Sequence, residues 1–253
     1  MRILLLLLLY NAWGLFAGSV ALAMGDYSRL VIPQIKYQGG HFKPRAEALE
    51  SLLVQIANRT AVEVKRMSLE MELGNPELYR YPFIYLSGSD AFEPFTHEQL
   101  NALRNYLSYG GFVLIDDSSS IKHSGFDASV RKMAAQLFPH TPLQKLSQDH
   151  SIYRSFYLIN QPAGRMIVNP FLEGITIKGR TAMVYSTNDL GGAWSRDKLG
   201  HWSYEVIGDS ENQRKLSIRL GVNIVIYALT LDYKKDMVHL PIILERLRRY
   251  YSE

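Results

Sequence analysis

The chain contains no cysteine among its 253 residues. That absence excludes disulfides, a lipid-modified cysteine, thiolate nucleophiles and cysteine-ligated zinc, so the fold must be held by its core alone. It also lacks a strong charge of either sign. Lys and Arg total 28 against 24 Asp and Glu, a net charge of +4, which leaves no electrostatic footprint for nucleic acid as a partner. Internal repeats, low-complexity tracts and linkers are missing too. No His-Glu-x-x-His or calcium-loop spacing occurs, so no metal and no cofactor is expected. Gly-x-Ser-x-Gly is absent, and Gly208-Asp209-Ser210 falls in a late polar stretch rather than after the first strand.

What is present begins with a leader. Met1-Arg2 precedes an uninterrupted apolar run from Ile3 to Leu9, and Ala21-Leu22-Ala23 offers small residues where a signal peptidase reads. Cleavage after Ala23 is the first expectation. An uncleaved anchor is the second, since Ile3 to Met24 carries no charge and is long enough to span a bilayer, which needs roughly 20 residues. The chain therefore divides into a signal peptide or membrane anchor over 1–23 and one α/β domain over 24–253. Membrane contact is expected only through an uncut leader.

Beyond the leader, Leu30 to Ile35 reads as a first strand with Pro33 marking a sheet edge or irregular start. A helix entered through Pro44 carries Ala46, Leu49, Leu52, Leu53 and Ile56 as its apolar stripe, and Val62-Glu63-Val64 is a short strand candidate. Phe83-Ile84-Tyr85-Leu86 and Phe112-Val113-Leu114-Ile115 are continuous apolar runs, as strands covered on both faces require. Between them Thr96-His97-Glu98-Gln99 has the form of a capping box, and Leu100, Leu103 and Leu107 repeat at helical spacing until Gly110-Gly111. Strand, helix and strand in that order make a crossover between parallel strands.

A third helix starts at Ser124 and runs from Phe126 to Phe138. The stretch from Thr141 to Lys178 is irregular, with loops and short strands, and Ala182 to Tyr185 is another strand. Leu216, Leu220, Ile224 and Tyr227 mark a long helix. A last one from Pro241 sets Leu244 and Leu247 apart from Arg246, Arg248 and Arg249.

Open parallel sheets bind ligands beyond the carboxyl ends of their strands. Ser87-Gly88-Ser89-Asp90, Asp116-Asp117 with three serines after it, and Ser186-Thr187-Asn188-Asp189 all follow apolar runs and define such a rim. The same residue types also favour caps and turns. The crevice expected there is lined by Gly39, Gly40, Ser87, Gly88, Asp116, Asp117, Asp149, His150, Tyr153, Asn188 and Asp189. Asp116 and Asp117 are adjacent, so their side chains point to opposite faces of an extended strand. Together with His150, a group that titrates near neutrality, they are the candidates for any catalytic role.

Five ordered strings resemble one bacterial family: Tyr81 to Gly88, Gly110 to Asp117, Asp149-His150-Ser151-Ile152-Tyr153, Tyr185-Ser186 to Trp194, and Arg219-Leu220-Gly221-Val222-Asn223. The family is domain of unknown function 4159, and the likeness covers nearly all of the chain after the leader. It is similar to class I glutamine amidotransferase-like domains, which implies a flavodoxin-like α/β fold with a mostly parallel sheet flanked by helices. The amidotransferase reaction itself is excluded, because it needs a cysteine nucleophile. Ser151 stands where the family is expected to carry proline, a departure that touches the rigidity of that loop.

The expectation from residues and resemblance together is an exported protein, periplasmic or anchored in the inner membrane facing the periplasm. Its leading reading is a non-catalytic ligand-binding or assembly module of the bacterial cell envelope, with an envelope ligand or protein as partner. The alternative is a carboxylate and histidine hydrolase, with or without a metal, acting on an envelope glycan or peptide. That alternative requires the carboxylates and His150 to converge on one point.

Overall fold

The computed structural model describes residues 29–230. The expected leader and the expected last helix from Pro241 lie outside them. The described chain forms a seven-stranded sheet in the order β2-β1-β3-β4-β7-β6-β5. Its strands are β1 (Pro33–Lys36), β2 (Leu69–Glu72), β3 (Phe83–Gly88), β4 (Phe112–Asp117), β5 (Gln144–Lys145), β6 (Glu173–Ile177) and β7 (Arg180–Ser186). From β2 through β7 the pairings are parallel, and β6 and β5 extend the sheet antiparallel. The fold is therefore α/β with a mixed, mostly parallel sheet. Five α-helices accompany it: α1 (Ala48–Arg59), α2 (His97–Ser108), α3 (Gly125–Leu137), α4 (Leu190–Trp194) and α5 (Ser210–Thr230).

Alternation along the central strands builds two cores. Phe83, Tyr85, Phe112, Leu114 and Val184 pack with α1, α4 and α5, while Ile84, Leu86, Val113, Ile115 and Tyr185 pack with α2 and α3. Both faces are covered, which is why β3 and β4 read as unbroken apolar runs. Each fully buried side chain of this size contributes about 2 kcal/mol, and that burial does the work that disulfides do elsewhere.

Local chemistry sets the boundaries. The Thr96 hydroxyl accepts from the Gln99 amide at 3.2 Å and the Gln99 side chain accepts from the Thr96 amide at 3.0 Å, so the capping box forms as expected. Ser124 caps α3 by accepting from Asp127 N–H at 2.9 Å. Lys178 and Gly179 both take positive φ, 50° and 81°, in the two-residue turn that pairs β6 with β7.

Two expectations need correction. Val62 to Val64 makes only an isolated bridge, Leu30 to Val64, and the strand beside β1 is Leu69–Glu72 instead. Its alternating pattern leaves only Met71 buried, as fits a short edge. Pro33 begins β1 but is not at a sheet edge, since β1 lies between β2 and β3. As the first residue of the strand, it is placed where proline is tolerated.

Candidate functional site

Parallel pairing aligns the ends of three neighbouring strands. Ser87 is level with Asp116, and Asp116 with Ser186, while Gly88 is level with Asp117. The polar tails after β3, β4 and β7 therefore share one edge of the sheet. Gly39 and Gly40, both at positive φ after β1, stand at the same edge, where a β-carbon on Gly40 would meet the Ala91 carbonyl at 2.6 Å. A tight turn and close packing explain both glycines.

The two adjacent aspartates do point to opposite faces, and each meets a tyrosine there. On the α1 side Asp116 accepts from the Tyr85 hydroxyl at 2.7 Å and from the Leu190 and Gly191 amides, both at 2.8 Å. It thereby anchors the start of α4. Asp116 is fully buried, and burial with the nearby negative charge of Asp189 pushes its carboxyl up to about 7, against the pull of the Gly191 amide, the Tyr85 hydroxyl and the Leu190 amide. On the α3 side Asp117 accepts from the Ser119 amide at 2.8 Å and the Ser124 hydroxyl at 2.6 Å. Its carboxyl is also raised, first by burial, and the Ser119 and Ser124 hydrogen bonds oppose the rise. The Tyr185 hydroxyl donates to Asp127 at 3.0 Å and lies 3.4 Å from Asp117.

Asp189, three residues beyond β7, is the centre of a second network. Its backbone is left-handed, φ 52° and ψ 62°, and its side chain accepts from the Gly192 amide at 2.9 Å. Aspartate is one of the few side chains that enters this region without a large penalty. Arg45 reaches it from the connection after β1, and Arg165 from the long connection before β6. Arg165 also donates to Ser120 at 2.8 Å, and Arg45 to the Ser118 carbonyl at 3.3 Å. One carboxylate thus ties three separate loops together over the strand ends. Asn188 does similar work, accepting from the Val168 and Asn169 amides, each at 2.9 Å.

Neither Arg45 nor Arg165 was legible as a site residue, because no local pattern marks an arginine that pairs across the fold. Gly88 is legible for a different reason than expected. A β-carbon there would lie 2.1 Å from the Tyr37 hydroxyl, which instead donates to the Ser87 carbonyl at 2.8 Å.

Asp149, His150 and Tyr153 are not brought to this edge, which corrects their grouping with the strand-end carboxylates. His150 Nδ1 accepts from the Ile152 amide at 3.2 Å, so Nε2 carries the proton toward Thr181 Oγ1 at 2.9 Å. Thr181 is the second residue of β7, and Ser186 at the opposite end is about 16 Å away at the rise of a strand. The His150 ring packs 5.3 Å from Tyr227, and burial holds its pKa below the ordinary value. Asp149 is 97% exposed and pairs with Arg154 at 3.1 Å. The Tyr153 hydroxyl accepts from the Leu172 amide at 3.1 Å. Asn223 accepts from the Phe156 and Tyr157 amides at 3.2 and 2.7 Å, fixing the same segment to α5. Physically, these residues pin an irregular connection to the far end of the sheet.

Among the described residues, no group of three or more His, Asp or Glu side chains is arranged to hold a metal ion. The arrangement at the strand ends offers one proton-holding carboxyl sealed from solvent and one carboxylate neutralised by two guanidinium groups. Both serve as hydrogen-bond and charge anchors.

The family described as Domain of unknown function (DUF4159) matches residues 31–229, and the chain belongs to that family. No curated protein matches the chain.

Proposed function

We propose, with membership of that family as the premise, that this protein is a non-catalytic ligand-binding or assembly module of the bacterial cell envelope. The observation that carries the reading is that the three buried carboxylates at the strand ends, Asp116, Asp117 and Asp189, are all used internally. Asp116 anchors α4, Asp117 holds the loop into α3, and Asp189 joins Arg45 to Arg165. A hydrolase built on these carboxylates and His150 draws no support from this geometry, since the length of β7 separates them and both His150 nitrogens are engaged.

The strand order β2-β1-β3-β4-β7 follows the flavodoxin-like winding, and this supports kinship with class I glutamine amidotransferase-like domains. Without cysteine, such a domain keeps the scaffold and not the reaction. The leader, in which Arg2 precedes a charge-free apolar stretch ending in Ala21-Leu22-Ala23, supports export to the periplasm or anchoring at the inner membrane.

The test uses the purified protein and isolated envelope material containing peptidoglycan sacculi. Saturable co-sedimentation without release of reducing ends or free amines is the expected result. Release that Asp116→Asn or His150→Gln abolishes would establish the hydrolase instead. Failure to sediment at all would remove the envelope module.

A further inference from the structure

The connection between β5 and β6 forms a cavity of about 310 Å³ on the segment that His150 pins to the far end of the sheet. Gln148, Asp149, Arg154 and Asn160 bring polar groups to it, and Leu158 and Ile159 bring apolar surface. We propose that this cavity binds a saccharide unit of an uncharged glycan, an inference that rests on the reading of the protein as a ligand-binding module of the envelope.

Size is the first argument. Small-ligand sites run from roughly 300 to 1,000 Å³, and a cavity at the lower end suits one ring-sized unit. Chemistry is the second. Asp149 and Arg154 pair at 3.1 Å, so the one carboxylate and the one guanidinium of the lining cancel and leave no net pull on an ion. The Gln148 and Asn160 amides and that ion pair set donors beside acceptors, which suits hydroxyl groups because each of them both donates and accepts. Leu158, 76% exposed, and Ile159 add the apolar contact that the C–H face of a sugar ring takes. A peptide joining this fold as an added strand has no foothold here, since no strand residue lines the cavity.

Preorganisation is the third argument. Fully buried Asn223 of α5 accepts from the Phe156 and Tyr157 amides and donates from Nδ2 to the Tyr157 carbonyl at 2.8 Å. The Ile159 amide donates to the Tyr153 carbonyl at 2.8 Å, and the Tyr153 hydroxyl is held by the Leu172 amide. The frame is therefore set before a ligand arrives, while the Asp149 side chain, 97% exposed, stays open to it.

An exposed ion pair adds little to stability, so Asp149→Ala and Asn160→Ala are expected to fold and melt like the parent. The probe is the β-1,4-linked N-acetylglucosamine tetramer, titrated calorimetrically into the purified protein. Saturable binding is expected, weakened about tenfold by each substitution, the worth of one or two hydrogen bonds. Leu199→Ala, in the loop after α4, is expected to bind as the parent does. No binding of the tetramer, or binding that both lining substitutions leave unaltered, overturns the proposal. Sedimentation of the same variants with sacculi separates it from the reading beneath it. Variants that sediment as well as the parent refute the cavity as the glycan site and leave the envelope module standing, whereas a parent that binds the tetramer but not sacculi keeps the saccharide site and removes the module. Release from sacculi by free stem peptide and not by the tetramer would assign the ligand to the peptide and overturn the proposal.

Discussion

The Arg45 guanidinium grips Asp189 with two nitrogens, Nε to Oδ1 at 3.0 Å and Nη2 to Oδ2 at 2.6 Å, across 144 residues of chain. Arg45 also stacks 4.1 Å over the Tyr204 ring. With Arg165 on the same carboxylate, the loops over the strand ends depend on one negative charge. Asp189→Asn leaves two largely buried cations without their counter-ion, and removing one partner of such a pair costs about 3 to 5 kcal/mol. Urea unfolding of the variant is expected to show that loss, and a change below about 1 kcal/mol would mean that solvent already screens the network.

Asp116 gives stability a pH dependence of unusual sign. Its folded carboxyl is pushed up to about 7 from an ordinary 3.8, so between those values the folded protein holds a proton that the unfolded chain has released. Stability from this group is therefore fully present below about pH 4 and is lost as pH rises through 7, at on the order of 1 kcal/mol per pH unit. Asp116→Asn cannot titrate. Comparing the two proteins at pH 5 and pH 8 is expected to show the parent losing more stability than the variant. Parallel behaviour would mean that the Leu190, Gly191 and Tyr85 donors keep Asp116 ionised throughout.

His150 acts in the opposite direction. Burial lowers its folded pKa below the ordinary 6.5, so below that pH the unfolded chain binds a proton that the folded protein refuses. This contribution is present above pH 6.5 and is lost as pH falls. His150→Asn is expected to flatten the stability decline on the acid side. An NMR titration that placed His150 at or above 6.5 would mean that burial does not hold its ring neutral.

These opposed titrations show how much of the site could be read from the residues. The strand ends at Gly88, Asp117 and Ser186 were legible because strands buried on both faces leave uninterrupted apolar runs, and the polar residues after them mark a common edge. The capping residues Thr96 and Ser124 were legible because cap chemistry is local. His150 was misplaced because hydroxyl and carboxylate clusters occur at both ends of a sheet, and nothing in the stretch before β6 says to which end it returns. β2 was missed for a related reason: Leu69-Glu70-Met71-Glu72 is an edge strand with little to bury, while Val62 and Val64 carry the β-branched signal but form one bridge. Arg45 and Arg165 depend wholly on tertiary pairing.

Gly88 tests whether the strand-end edge is packed or open. Its missing side chain lets the Tyr37 hydroxyl reach the Ser87 carbonyl, and a β-carbon there would lie 2.1 Å from that hydroxyl and 2.4 Å from the Phe126 ring. Both neighbours are buried. Gly88→Ala is therefore expected to destabilise the protein by about 2 kcal/mol through overpacking. Adding Tyr37→Phe removes the nearest atom but leaves the Phe126 contact, so rescue should be partial. Thermal unfolding of the three variants decides the point. An unaffected Gly88→Ala protein would mean that the edge holds free space beside Asp117, and a ligand crevice at the strand ends would regain its physical basis.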